Sequence, residues 1–205
     1  MDELSLKTFC LGDIYNNCYL IFDKESKRGF IIDAPAPTDE VGDFIQSQDL
    51  KIDFIALTHA HFDHIGGLND FPYPFYVHQD DHQFLKDIAI NGSAFFGSSI
   101  MVQREAKLYK DSQPFFFDKY PIEVIHTPGH TPGGVSLKLG NWLFSGDTLF
   151  LDSVGRTDIP LASGEQIIKS IKEKLLVLPP DTIVYPGHGA STTIAREIKS
   201  NPFLG

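Results

Sequence analysis

Thr58-His59-Ala60-His61-Phe62-Asp63-His64-Ile65-Gly66-Gly67 places four imidazole or carboxylate side chains within six positions, directly after the apolar run Asp53 to Thr58 that reads as a short β-strand. A His-x-His-x-Asp-His string arises by chance in roughly one chain in a thousand of this length, so the segment is read as chemistry. Imidazole nitrogen and carboxylate oxygen ligate zinc and other borderline divalent ions at about 2 Å. On a partly extended exit from the strand, His59 and His61 point to one side. Asp63 and His64 then turn toward a second position as the chain bends into the glycines. One short loop would thereby serve two neighbouring metals.

Three other stretches share that character, each a ligand-type side chain at a strand end beside glycine: Thr127-Pro-Gly-His130-Thr-Pro-Gly133, Ser145-Gly-Asp147-Thr148 and Tyr185-Pro-Gly-His188-Gly189. Small neighbours let the backbone turn tightly and leave room for an ion. A lone histidine near a turn is usually a surface or hydrogen-bonded core residue, but four such stretches in one chain point to a site. The bland reading holds for the remaining histidines. His78 and His82 stand at i, i+4 spacing without an acidic partner pattern, and His126 fits a core role or one beside the ligands. The chain has no Gly-x-Ser-x-Gly elbow and no Walker-type loop, and Gly187-His-Gly189 lacks the third glycine of a dinucleotide fingerprint. The expected nucleophile is metal-bound water.

Around these motifs, short β-branched or aromatic runs at 7–11, 18–22 and 29–33 predict a meander, followed by a helix over 39–48 with Thr38 as its cap. Strands are predicted at 75–78, 115–117, 122–126, 135–139, 142–145 and 182–185, and helices over 79–88, 163–176 and 192–199. The stretch 90–112 is the least legible; it is expected to be a mobile surface segment beside the site, with a helix over 99–109. A length of 205 residues with 42% hydrophobic and 21% charged residues fits one globular domain over 1–205. A net charge of −10 without a basic run argues against nucleic acid. The start Met1-Asp-Glu-Leu-Ser lacks a secretory pattern and no apolar run is long enough for a membrane span, so a cytoplasmic location is expected. Cys10 and Cys18 are expected to be buried thiols.

The order His-x-His-x-Asp-His, then His, Asp and His, resembles the metallo-β-lactamase superfamily. Thr127-Pro-Gly-His-Thr-Pro-Gly, Ser145-Gly-Asp-Thr-Leu-Phe and Pro186-Gly-His-Gly resemble its glyoxalase II-like branch, in the form of a short single-domain bacterial member. The likeness runs from Asn17-Cys-Tyr-Leu-Ile to Asn201-Pro-Phe-Leu. It implies an α/β fold, a four-layer αβ/βα sandwich with the metals at one edge of paired sheets. It also implies two divalent ions, zinc first and iron or manganese as alternatives. His59, His61 and His130 would hold one ion, Asp63, His64 and His188 the other, and Asp147 would bridge them, with Asp63 also orienting the metal-bound hydroxide. Arg156, in Gly155-Arg-Thr-Asp158, falls where the family presents a basic glutathione contact.

Departures from the family pattern narrow the expectation. His61 stands where flavo-diiron proteins carry glutamate, which favours hydrolysis over electron transfer, and β-lactamases place a cysteine near the position of Asp147, which argues against antibiotic cleavage. The nuclease branch's large inserts and basic arms have no counterpart. Full-length glyoxalase II enzymes continue past the last histidine into a helical domain, and Gly189 and Ala190 replace their acidic residue and glutathione-binding tyrosine. The implied activity is hydrolysis of a small-molecule thioester, S-D-lactoylglutathione or a related hydroxyacyl thioester. The alternatives are a mononuclear-iron glutathione persulfide dioxygenase of the same fold and a non-catalytic metal-binding protein. No nucleic-acid or membrane partner is expected, and the oligomeric state is left open.

Overall fold

The structure, a computed structural model, describes residues 3–109 and 115–205. β1 (Leu4–Leu11), β2 (Asn16–Asp23) and β3 (Arg28–Ile32) form the antiparallel meander that the sequence predicts. The helix α1 (Asp39–Ser47) then crosses over so that β4 (Lys51–Ala56) pairs parallel to β3. After the one-turn helix α2 (Phe62–Ile65), β5 (Phe75–Val77) and β6 (Lys107–Leu108) extend the sheet in parallel, giving the order β1-β2-β3-β4-β5-β6.

The second half builds a matching sheet. It contains β7 (Phe115–Phe117), β8 (Tyr120–His126), β9 (Val135–Leu139) and β10 (Trp142–Gly146), followed by a separate ribbon of β11 (Leu149–Phe150) and β12 (Ser153–Val154). The helix α3 (Gly164–Ser170) runs into a π turn over Ile171–Leu175. Then come β13 (Ile183–Pro186), β14 (Thr192–Thr193) and the closing helix α4 (Ile194–Ser200). The strand order is β14-β13-β10-β9-β8-β7, with β13 parallel to β10.

Strand alternation explains why there are four layers. β2 is buried on both faces: Cys18, Leu20 and Phe22 pack toward Val41 and Ile45 of α1, while Tyr19 and Ile21 point the other way, toward the second sheet. In that middle core, Phe30 lies 5.0 Å from both Phe54 and Phe117, and Tyr19 lies 5.1 Å from Phe144. On the far side, Leu143 and Val184 meet Ile167, Ile171, Leu175 and Ile194. Helix, sheet, sheet and helix thus enclose three apolar seams, which is the expected αβ/βα sandwich. Among the described residues, no helix is long and apolar enough to cross a membrane.

Several local expectations fail for identifiable reasons. No helix forms over 99–109; the chain there is irregular and ends in β6. Side chains hold its backbone instead. Asn91 Nδ2 donates to the carbonyls of Phe84 and Ile100, Asn69 bonds Met101 O and Gln103 N, and the Arg104 guanidinium donates to the carbonyls of Leu68, Phe71 and Tyr73. These bonds join Asn91 to Phe84 and Ile100, and Met101, Gln103 and Arg104 to residues 68–73; 110–112 lie outside the described residues. The segment 79–88 is a shorter 3-10 helix, Gln79–Leu85. Thr38 occupies the cap position of α1, but its hydroxyl makes no cap bond. Cys10 is exposed, because on the edge strand β1 alternation turns Phe9 and Leu11 inward and Cys10 out; Cys18 is buried as expected.

Phe30→Ala, which empties the middle core, is expected to lower the unfolding free energy by about 3–5 kcal/mol in urea titrations. Cys10→Ser on the exposed edge is expected to change it by less than about 0.5 kcal/mol.

Candidate metal centre

The strand β4 delivers Leu57 and Thr58 to the edge of the first sheet, and Thr58 is the anchor of everything that follows. Its backbone N–H and its hydroxyl donate to the two oxygens of Asp33, each at 2.7 Å, and its carbonyl accepts from Val135 N at 2.8 Å. The loops of the two sheets are joined there. Asp33 adopts a left-handed backbone with φ of 57°, a conformation Asp tolerates better than most residues, and this aims its carboxylate at Thr58 and at His64 Nδ1, 2.8 Å away. Gly146 and Gly187 are required at the close approaches: a Cβ on Gly146 would collide with Thr58, and one on Gly187 with Asp147 and His64.

All seven side chains singled out from the sequence as ligands converge on one place. His59, His61 and His130 bring ring nitrogens within 4.8 Å of one another, and so do the ligand atoms of Asp63, His64 and His188. Asp147 stands between the two groups, with Oδ2 at 3.5 Å from His130 Nε2 and Oδ1 at 3.4 Å from His64 Nε2. The outward nitrogens are occupied: His130 Nδ1 lies 2.9 Å from the Arg156 carbonyl, His188 Nδ1 3.0 Å from the Ile14 carbonyl, and His59 Nδ1 3.2 Å from the Thr58 hydroxyl. With the Nδ1 proton donated outward, His59 and His130 turn their Nε2 lone pairs to the cluster, the arrangement that metal-ligating imidazoles use, whereas His188 Nε2 stands 3.3 Å from Asp63 Oδ2 and donates to it.

Buried His59 Nε2, His64 Nε2 and Asp147 Oδ1 have no hydrogen-bond partner. Each such orphan costs about 1–3 kcal/mol in a finished interior, and three at one point form a donor set that fits divalent ions. Electrostatics agree. Burial, reinforced by the neighbouring imidazoles, holds His59 well below the ordinary histidine range and brings His61 down to about 3, so both rings are neutral. Burial alone would lower His64 as well, but the carboxylates of Asp33, Asp147 and Asp63 raise it. Burial alone would raise Asp63, yet His64 and hydrogen bonds from His188 and Asn16 keep it ionised.

Several positioning groups escaped the sequence reading. Asn16 Nδ2 donates to Asp63 Oδ2 at 3.0 Å, and Asn17 and Tyr19 bond the carbonyls beside His188. Asp81 accepts from Ala60 N, Thr131 Oγ1 and Gly133 N at 2.6–3.1 Å, and so clamps the His59–His64 loop to the His130 loop. Asp33 and Asn16 flank strands just as the ligand motifs do, which was a usable signal; Asp81 sits in a segment read only for its histidines. His78 stacks on His126 at 4.2 Å, His126 Nε2 donates to Pro132 O, and His82 is exposed, so these three lie outside the convergent group. Arg156 borders the cavity of about 850 Å³ that opens over the cluster, paired with Asp158 through bonds of 2.8 and 2.9 Å.

A family profile described as the metallo-beta-lactamase superfamily matches residues 11–188. The chain belongs to the metallo-beta-lactamase superfamily. It is similar to the probable metallo-hydrolase YqgX of Bacillus subtilis (strain 168), at 35% identity over 95% of this chain and 94% of that one. It is also similar to the hydroxyacylglutathione hydrolase GloC of Haemophilus influenzae, at 34% identity over 92% of each. Among solved structures, BLEG-1, a B3 metallo-beta-lactamase, aligns with a TM-score of 0.93 at 37% identity, covering 98% of this chain and 99% of that one. TTHA1623 in a di-iron-bound form aligns at 0.85 and 34%, covering 97% and 100%. ETHE1 from Myxococcus xanthus aligns at 0.77 and 25%, covering 97% and 83%. The superfamily is one of metallo-hydrolases, and its fold is the sandwich described above.

Asp81 offers a check on the loop clamp. Burial pushes its carboxyl up to about 6, although three donors pull the other way. A carboxyl whose folded pKa is raised stabilises the fold below its unfolded pKa, and that contribution is lost as pH rises through about 6. Asp81→Asn sets an amide NH2 against a donor. In chelator-treated protein it is expected to lower unfolding free energy by about 1–3 kcal/mol at neutral pH. The gap from the unsubstituted protein should widen from pH 6 to about 4; a pH-independent gap would discount the buried carboxyl.

Proposed function

We propose that the convergent cluster holds two divalent metal ions and that the chain hydrolyses an acyl thioester. The observation that carries the metal assignment is the trio of buried, unpartnered ligand atoms on His59, His64 and Asp147 beneath an open cavity. In this reading His59, His61 and His130 would hold one ion and Asp63, His64 and His188 the other, with Asp147, placed between the two groups, available to both. Zinc is the first choice; the di-iron form of TTHA1623 supports iron as the contender, with manganese third.

When bound, such a pair of ions lowers the pKa of water toward neutrality and polarises a carbonyl. The chain's own residues do the rest. Asp63 accepts from Asn16 and borders the cavity, where its carboxylate orients the attacking water. His64 and His59 are held from behind by Asp33 and Thr58, and His130 by the Arg156 carbonyl, so the donor set is in place before substrate arrives. His61, His130, Asp147 and His188 border the same cavity, which brings a bound carbonyl against the cluster.

The name of the Haemophilus relative supports a hydroxyacyl thioester, with S-D-lactoylglutathione as the first compound to assay. Two readings compete. One is the mononuclear-iron persulfide dioxygenase that the motif resemblance allows, and the other is the β-lactam hydrolase that the name of BLEG-1 suggests, although Asp147 occupies the place where the resemblance puts a cysteine in β-lactamases. A non-catalytic metal protein fits poorly, because structural sites close their coordination whereas this cluster opens to a cavity.

Metal quantification on freshly purified protein, coupled to turnover assays, separates these readings. Two metals with thioester hydrolysis are expected. One iron with oxygen uptake on glutathione persulfide would replace the hydrolase with a dioxygenase, and nitrocefin turnover in excess of thioester turnover would favour the lactam. Asp147→Ala is expected to retain at most one metal per chain and to lose hydrolysis by at least about a hundredfold. Two retained metals with near-normal turnover would remove the bridge.

A further inference from the structure

The cavity above the cluster has an apolar wall of four phenylalanine rings and aliphatic side chains. Ile14, Phe62, Phe95, Phe96, Phe150 and Ile159 border it. Phe95 is 73% and Phe96 60% exposed, so these two rings form a rim facing solvent. A contiguous exposed apolar surface beside a polar site is the mark of a surface that a ligand covers. The rim is also fixed to the catalytic loop. The Phe96 ring lies 4.7 Å from that of Phe62, and Phe62 stands between His61 and Asp63 in the chain.

The turn carrying the rim is built in advance. Gly92 and Gly97, both left-handed, bound the 3-10 segment Ser93–Phe96. Buried Asn91 closes it by accepting from Ser93 N through Oδ1, and the Asn91 carbonyl accepts from Phe62 N at 2.9 Å. A surface held this way spends little conformational entropy when an apolar group settles on it.

Charge points in the same direction. Outside the cluster, the charged side chains bordering the cavity among the described residues are Arg156 and Asp158, and they neutralise each other through two hydrogen bonds. A glutathione conjugate brings two carboxylates and an ammonium. Here it would meet one cation already engaged, with an aspartate beside it, on a chain of net charge −10.

We propose that the Phe62–Phe95–Phe96 wall selects a thioester with an apolar alkyl or aryl arm, and that the preferred substrate is not a glutathione conjugate. This rests on the thioesterase reading for the reaction, though the apolar recognition stands on the wall itself. In zinc-loaded protein, S-hexanoyl-N-acetylcysteamine is expected to show a kcat/KM at least about tenfold above that of S-D-lactoylglutathione, with the difference mainly in KM. A stable ketone analogue, with CH2 replacing the thioester sulfur of the hexanoyl compound, should bind in calorimetry. Phe96→Ser, at an exposed position that leaves the core untouched, should weaken that binding at least about fivefold.

A higher kcat/KM for lactoylglutathione, or ketone binding unchanged in Phe96→Ser, would overturn the inference. So would a concentration-dependent dimer that Phe96→Ser abolishes without changing ketone binding, since the rim would then be covered by a second copy. If neither thioester were turned over while the ketone bound and Phe96→Ser lost it, the thioesterase reading would fall and the apolar recognition would remain.

Discussion

The carboxylate of Asp33 is the point on which the site depends. It sits where β3 ends, accepts from both the backbone and the hydroxyl of Thr58 where β4 ends, and meets His64 on the turn after it. Two neighbouring strands and the His59–His64 loop are thereby fixed relative to one another by one buried group. Thr58 passes the constraint on through its carbonyl to Val135, at the start of β9, so the first sheet's loop is registered against the second sheet. Asp81 makes a second tie between the same halves, from Ala60 to Thr131 and Gly133. Buried carboxylates with several donors are expensive to place and rigid once placed, which suits a site whose ligands must be fixed to within a fraction of an ångström.

The cluster itself works against stability. It gathers neutral His59 and His61, the raised His64 and ionised Asp63 in a largely buried spot and leaves three polar atoms without hydrogen-bond partners. The rest of the molecule offsets this with three apolar seams, in which the strands β2, β3 and β4 send alternate side chains to different cores. Three of the four buried polar atoms without hydrogen-bond partners among the described residues lie where chemistry is proposed, and regular packing surrounds them. The ring-lined cavity belongs to the same division of labour: its floor is polar and ligating, and its rim is apolar.

Much of the site was legible in the primary structure because ligand chemistry restricts residue type. Few side chains bind divalent ions, and they need small neighbours and strand ends, so His59 through His64, His130, Asp147 and His188 stood out against the rest of the chain. The strand-rich halves and their following helices were legible from periodicity for a similar reason, since burial on one or two faces leaves a repeat of two or of 3.6. Positioning residues carry no such restriction. Asp81, Asn16 and Asn17 are ordinary polar side chains until the folded chain shows which loop each one ties, and Arg104 gave no hint that it would hold the 90–109 region by three carbonyls rather than allow a helix.

By itself the sequence determined the strand-rich halves, the strand-end location of the ligand loops and the identity of the residues that converge, because hydrophobic period and ligand chemistry are both written locally; the four-layer arrangement was implied only by the family resemblance of the motifs. Only the tertiary structure decided which nitrogen of each imidazole the neighbouring carbonyls and hydroxyls occupy, and that Phe95 and Phe96 rim the cavity while Arg156 is paired with Asp158. Apart from the local Arg156–Asp158 and Thr58–His59 pairs, those outcomes depend on contacts between residues from 26 to 174 positions apart. Their geometry is set by how two sheets pack, and no local pattern encodes it.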